Sequence, residues 1–311
     1  MDSSDIVIAL VVLTALAFDF TNGFHDTANA MATSIATRAL PPRAAVALAA
    51  VLNFAGAFLS LKVAATVAED IVKPDAITPA IILAGLLGGI FWNLLTWWRG
   101  IPSSSSHALI GGVIGAVVVA AGFDAVLADG LIGQVLVPAV IAPVLALAVA
   151  GTATFIVYRR IRDRDPAETQ RSFRVGQVAS ASLVALSHGT NDAQKTMGVI
   201  TLALIANGDL AKGAGVPTWV VVSCATVIAV GTYIGGWRII RTLGHGVTKL
   251  ETPQGFSAET SSAVVILAAS QAGFPLSTTH VTSGGVMGAG VGKRAAGVNW
   301  TTAQRWRSRG S

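Results

Sequence analysis

The sequence predicts an all-α polytopic membrane protein, and two observations carry that class. Of 311 residues, 53% are apolar and only 12% are charged, against roughly 25% charged in an ordinary soluble domain. The mean hydropathy of +0.66 agrees, and at about 20 residues per span the chain furnishes about eight to ten helices. Disordered, coiled-coil, collagen-like and disulfide-stapled classes are excluded. The pI near 9.8 would point to nucleic acid in a soluble protein. Here the basic residues fall between apolar runs, as in cytoplasmic loops, so the expected partner is a lipid bilayer and no nucleic acid. Cys224, inside the run Val220–Val230, reads as a small packed hydrophobe.

Nine apolar segments follow in order, near 6–33, 44–68, 77–98, 103–121, 131–158, 175–205, 218–236, 258–272 and 276–292. The leader Met1-Asp2-Ser3-Ser4-Asp5 is acidic, which argues against a signal peptide. Alternating the loops puts 17 Lys and Arg on one side and 2 on the other. That asymmetry makes the basic side cytoplasmic. The expectation is a multi-pass plasma-membrane protein with its N-terminus outside and loop 159–174 cytoplasmic.

Two stretches repeat. Gly23-Phe24-His25-Asp26-Thr27-Ala28-Asn29-Ala30-Met31 aligns with Gly189-Thr190-Asn191-Asp192-Ala193-Gln194-Lys195-Thr196-Met197. Pro102-Ser103-Ser104-Ser105-Ser106-His107 aligns with Pro275-Leu276-Ser277-Thr278-Thr279-His280, and the glycines that follow match as well. Two matches in the same order at similar offsets mark a duplication. The copies lie in the first and the sixth segment, an odd offset that reverses the direction of crossing, so the repeat is inverted. Residues 1–130 form the first repeat, 131–174 a linking helix and basic loop, and 175–311 the second repeat. Inverted repeats with polar sites in discontinuous helices belong to secondary transporters.

Asp26 and Asp192 are acids inside apolar segments at matching places. An unpaired carboxylate there costs on the order of 3 kcal/mol, so the two are expected to face a cavity and bind a cation or proton. Asn22, Asn29 and Asn191 supply amide oxygens, and Gly23 and Gly189 are expected to unwind their helices and expose carbonyls. Oxygen ligands suit a hard cation. The plainer alternative for Asp192 is an ion pair with Lys195, whereas Asp26 has no such partner in its own helix. Asp19 is also intramembrane and has no assigned role. Lys62 reads as a snorkelling side chain. Glu259 reads as the first turn of its helix, favoured by the dipole. Trp92, Trp97 and Trp98 read as interfacial or packing aromatics.

The two Pro-x-Ser-Ser/Thr-Ser/Thr-His stretches look like capped helix starts. If each is the tip of a re-entrant hairpin, both tips converge and aim free N–H groups at one point. The hydroxyls of Ser104, Ser105, Ser106, Ser277, Thr278 and Thr279 then surround an anion site with no Lys or Arg in the tips, and the glycines beyond allow close packing. His107 and His280 follow at matched positions without an assigned role. An interior-negative potential of 100 mV opposes each imported negative charge by roughly 2.3 kcal/mol, so uphill import of a divalent anion needs co-transported cations.

On these motifs the chain resembles the inorganic phosphate transporter (PiT) family of bacterial type. The resemblance rests on Asn22-Gly23-Phe24-His25-Asp26-Thr27-Ala28-Asn29-Ala30, on Ser187-His188-Gly189-Thr190-Asn191-Asp192-Ala193-Gln194-Lys195-Thr196-Met197-Gly198, and on the two tips. It implies symport of inorganic phosphate with sodium or protons, phosphate at the tips, cation at the Asp-Asn motifs, and a homodimer. No cofactor beyond the co-transported ion is expected, and no enzyme activity. The family commonly has Asn-Asp where this chain has His25-Asp26, which weakens sodium in the first half and leaves protons or a metal–phosphate complex open. Similar proteins continue with a further membrane helix where this chain has the polar tail Lys293–Ser311, so the expectation is a C-terminally truncated protein with impaired activity. The competing readings are a sulfate permease of the same build and an anion channel.

Overall fold

The computed structural model describes residues 3–161, 164–246 and 250–293, and among them every regular element is helical. In order these are α1 (Ser3–Ala36), α2 (Pro42–Gly56), α3 (Lys62–Glu69), α4 (Pro79–Arg99), α5 (Ser105–Ala121), α6 (Ala128–Gly130), α7 (Val137–Arg160), α8 (Pro166–Asn207), α9 (Thr218–Ile234), α10 (Trp237–Gly246), α11 (Thr252–Ala272) and α12 (Thr278–Gly292). A π-helical stretch, Leu131–Leu136, joins α6 to α7. Arg162, Lys249, the leader residues Met1-Asp2 and the tail beyond Lys293 lie outside the described residues.

The packing is inside out relative to a water-soluble domain. Asp19, Asp26, Asp192, Lys195 and Glu259 are buried, while Phe91 is 66% exposed, Leu13 64% and Val119 89%. Buried acids with large apolar side chains outside fit a hydrocarbon solvent, where each backbone group must be satisfied within its helix. Asp5–Ala36, Pro79–Arg99 and Ala128–Arg160 are long and apolar enough to cross a membrane, and α2, α5 and α9 are shorter apolar helices. The protein is an all-α polytopic membrane protein. Helices α8 and α11 are more polar, with Asp192, Lys195, Glu259, Ser261 and Ser262 buried along them.

Several element boundaries differ from the sequence reading. Segment 44–68 is two helices, broken over Ala57–Leu61. The cause is tertiary: Gln194 Oε1 of α8 accepts from the backbone N–H of Val63 at 2.9 Å and of Ala64 at 3.3 Å. A side chain some 130 positions away thus satisfies donors that a new helix start leaves free. Lys62 opens α3 and is exposed, at a helix start rather than inside one continuous span. Helix α8 begins at Pro166, so Arg171 and Arg174 of the expected loop lie on it. The amphipathic α10 forms within another expected loop and carries Arg238 and Arg241.

Gly23 and Gly189 do not unwind their helices; α1 and α8 run through them without a break. They serve close approach instead. A Cβ on Gly189 would lie 2.6 Å from Asn53 Cα of α2, and one on Gly23 would lie 3.1 Å from Gly231 Cα of α9. The glycines after the tips divide similarly. Gly112 faces Gly85 of α4, while Gly284 and Gly288 face Pro143 and Leu147 of α7, the small-residue contact of membrane helices. Gly111 and Gly115 meet nothing within 4 Å. We expect Gly189→Ala to push α2 and α8 apart and cost about 1–3 kcal/mol by overpacking, read as a lower melting temperature in detergent. A melting temperature equal to that of the parent would refute the contact.

At the start of α11, Tyr158 and Lys293 both donate to Glu251, tying α7 and α12 to this end. Burial pushes the Glu251 carboxyl up, yet hydrogen bonds from Lys293 and Tyr158 outweigh it and hold the carboxyl below the usual range.

Candidate functional site

Two helical hairpins build the site, α4–α5 and α11–α12. Each first leg stops in the same way. Gly100 and Gly273 follow α4 and α11 with φ of +65° and +86°, a left-handed conformation that glycine adopts without strain. Their N–H groups donate to Trp97 and Ser270 carbonyls, and the next residues, Ile101 and Phe274, donate to Thr96 and Ala269. Pro102 and Pro275 then prevent the helix from continuing. Each second leg starts on a serine: Ser104 Oγ accepts from His107 N–H at 3.1 Å, and Ser277 Oγ from His280 N–H at 3.2 Å. His107 and His280 therefore serve the caps through their backbones. The tips meet, with Thr279 Oγ1 donating to the Ser103 carbonyl at 3.2 Å and the two imidazole centroids 5.0 Å apart.

Against these tips lie α1 and α8, which carry the acids. Ser105 donates to Asp26, and Thr278 Oγ1 donates to Asp192 at 2.9 Å. Asn29 Nδ2 donates across to Thr279 Oγ1 at 2.8 Å, and Lys195 Nζ donates across to Ser106 Oγ at 2.6 Å. Each acid thus holds the hairpin of its own half, and the residue three positions on holds the other hairpin. Lys195 also donates to Asp192 and, at 2.6 Å, to the Leu276 carbonyl. Asp26, His188 and Asp192 offer ligand atoms within 4.8 Å of one another. Such a carboxylate–imidazole–carboxylate set suits a hard or borderline cation.

The six tip hydroxyl residues and Asp26, Asp192, Asn22, Asn29 and Asn191 are all buried. Asn191 Nδ2 donates to Ser270 Oγ at 2.8 Å, whereas Asn191 Oδ1, Asn22 Oδ1 and Asp19 Oδ2 have no donor. Buried oxygens without donors are exceptional, and these three lie on the two acid-bearing helices near the carboxylates' own segments. The other oxygen of Asp19 accepts from Thr196 at 3.0 Å.

Several residues fall elsewhere than the sequence suggested. Asp26 does have a partner in its own helix, since His25 Nδ1 lies 2.7 Å from Oδ1. Asp192 has two, Lys195 and His188, whose Nε2 lies 2.8 Å from Oδ2. The i,i+4 spacing of His188 to Asp192 was a readable signal. The tips contain no Lys or Arg, yet Lys195 delivers an ammonium to both. Glu259 is not in a first turn, because α11 starts at Thr252. It accepts from Thr33, from Ser34 at 2.7 Å, from Ser180 at 2.5 Å and from Gln177 at 3.2 Å. Glu259 lines a small cavity together with Asn29, Thr33, Ser262 and Thr282. Trp92 donates to Ser103 Oγ at 2.6 Å, and Trp97 packs edge-on against Phe24 at 5.3 Å.

Paired hairpins meeting over buried acids, inside a shell of outward apolar side chains, define a polytopic membrane transporter. The phosphate transporter family matches residues 22–307. A "Probable low-affinity inorganic phosphate transporter" of Mycobacterium tuberculosis (strain ATCC 25618 / H37Rv) is 58% identical over 300 residues, covering 96% of this chain and 72% of the relative. A protein of the same description from Bacillus subtilis (strain 168) is 47% identical over 307 residues, covering 98% and 92%. A solved structure described as "The sodium-dependent phosphate transporter" superposes with a TM-score of 0.83 at 23% identity, over 96% of this chain and 93% of that one. The chain belongs to the phosphate transporter family, a family of transporters rather than enzymes.

Proposed function

We propose that this protein carries inorganic phosphate into the cell across the plasma membrane by symport with a cation, sodium or proton. The observation that carries the reading is the matched pair of contacts Ser105 to Asp26 and Thr278 to Asp192. Each joins a hydroxyl at a helix start, suited to an oxyanion, to a carboxylate suited to a cation. An anion and its counter-ion bound side by side stabilise each other in a low-dielectric interior, and that mutual stabilisation is coupling. In this reading Ser104, Ser105, Ser106, Ser277, Thr278 and Thr279 surround phosphate, and Asp26 and Asp192 with Asn22, Asn29 and Asn191 hold the cation. Relatives described as low-affinity inorganic phosphate transporters, 58% and 47% identical, support phosphate over sulfate.

The test is labelled-phosphate uptake into proteoliposomes, with proton and sodium gradients imposed separately and sulfate as competitor. Accumulation under one gradient, untouched by sulfate, is expected. Competition by sulfate would favour a sulfate permease. In the double variant Ser105→Ala, Thr278→Ala, two hydrogen bonds to a charged ligand are lost, each worth about 1.5–3 kcal/mol. The half-saturating phosphate concentration should therefore rise at least about tenfold, and an unchanged value would remove the tips from the binding site.

A further inference from the structure

In the internal alignment Lys195 stands where the first half carries Asn29. The two side chains make equivalent contacts, Asn29 with Thr279 and Lys195 with Ser106. What differs is charge. The ammonium of Lys195 has three N–H donors, and three oxygens take them: the Asp192 carboxylate, the Ser106 hydroxyl and the Leu276 carbonyl. Carboxylate, hydroxyl and carbonyl oxygens are what a hard cation collects. Lys195 is 1% exposed, so water does not compete for these oxygens.

We propose that Lys195 is a tethered cation that fills the second half's cation position, so that only the Asp26 half takes a mobile coupling ion. The inference rests on the reading of the site given above. A second cation brought against Asp192 would face the ammonium directly, and like charges at that separation repel strongly away from water. In the first half the equivalent residue is the neutral Asn29, so no ammonium occupies the matching place, and Asp26 has the His25 ring at 2.7 Å as its neighbour instead. The protein therefore carries part of its phosphate-neutralising charge as a fixed group, and fewer ions cross with each phosphate.

The test uses the full chain in proteoliposomes and in detergent. Wild-type uptake is titrated with the cation that drives it, and the Hill coefficient should be about 1, since it is bounded by the number of mobile sites. Lys195→Asn gives the second half the amide of the first. In choline buffer this variant should bind labelled phosphate at least about tenfold more weakly. The cation that drives wild-type uptake should restore binding, with a Hill coefficient rising toward about 2. Lys195→Ala should be rescued in the same way by methylammonium, a free form of the deleted charge. A lysine that only supports the fold would lower the melting temperature with no cation rescue, and that result overturns the proposal. So does a wild-type Hill coefficient near 2, which needs no variant to fold. Wild-type protein that binds no phosphate overturns the underlying reading of the site, and this inference with it.

Discussion

Asp26→Asn should abolish gradient-driven phosphate accumulation while leaving the protein folded. Asparagine keeps the size of the side chain and an oxygen that accepts from Ser105. It removes the negative charge. A unit charge about 4 Å from a cation is worth about 4 kcal/mol at an effective dielectric constant of 20. Losing it weakens cation binding about a thousandfold. Stability should change little, because the desolvation cost of the buried charge goes with it and a neutral His25 ring can still hydrogen-bond the amide. Residual flux in the variant should follow the phosphate gradient alone and ignore imposed proton and sodium gradients. An anion channel predicts equal flux in the parent and the variant, neither responding to a cation gradient. Full accumulation in Asp26→Asn would remove this carboxylate from the coupling mechanism.

The sequence was most informative where the chemistry is local. Ser104 and Ser277 read as caps because hydroxyls at helix starts bond N–H groups three residues on, and they do so. Asp26 and Asp192 could be expected to face inward because a carboxylate facing lipid is costly. What escaped was set by residues distant in the chain. The break between α2 and α3 falls inside a continuous apolar run, and its donors are satisfied by Gln194. The spacing of Lys195 to Asp192 gave an ion pair, but no local pattern gives contacts to Ser106 and Leu276, which lie 89 and 81 positions away. Gly23 and Gly189 were ambiguous in principle. Glycine serves both loose backbone and close backbone, and only the neighbouring helices decide between them. Glu259 was misplaced because apolar character starts later than the helix does. The polar turn Glu251–Gln254, where Gln254 Oε1 accepts from the Glu251 N–H at 3.1 Å, sets the true start.

Replacing Glu259 separates its two readings by a wide margin. A carboxylate that only favours a helix dipole contributes about 0.3–1 kcal/mol, so its loss would scarcely move a melting curve. In the structure this carboxylate is buried and collects four donors from two other helices, Thr33 and Ser34 on α1 and Gln177 and Ser180 on α8. Glu259→Leu strands Thr33, Ser34 and the Gln177 amide at once, whereas Ser180 retains the Gln177 carbonyl at 3.1 Å. A buried donor left unpaired costs about 1–3 kcal/mol, and costs within one network do not simply add. A loss of about 3 kcal/mol is the conservative expectation, or roughly 10 °C in melting temperature. Glu259→Gln keeps one acceptor oxygen for Thr33, Ser34 and Gln177, and the Ser180 hydroxyl can turn to accept from the new amide. Its loss should stay near 1 kcal/mol. Melting curves of both variants in detergent decide the matter. A large drop for leucine with a small one for glutamine establishes Glu259 as the polar joint between α1, α8 and α11, whereas a leucine variant as stable as the parent returns it to the helix dipole.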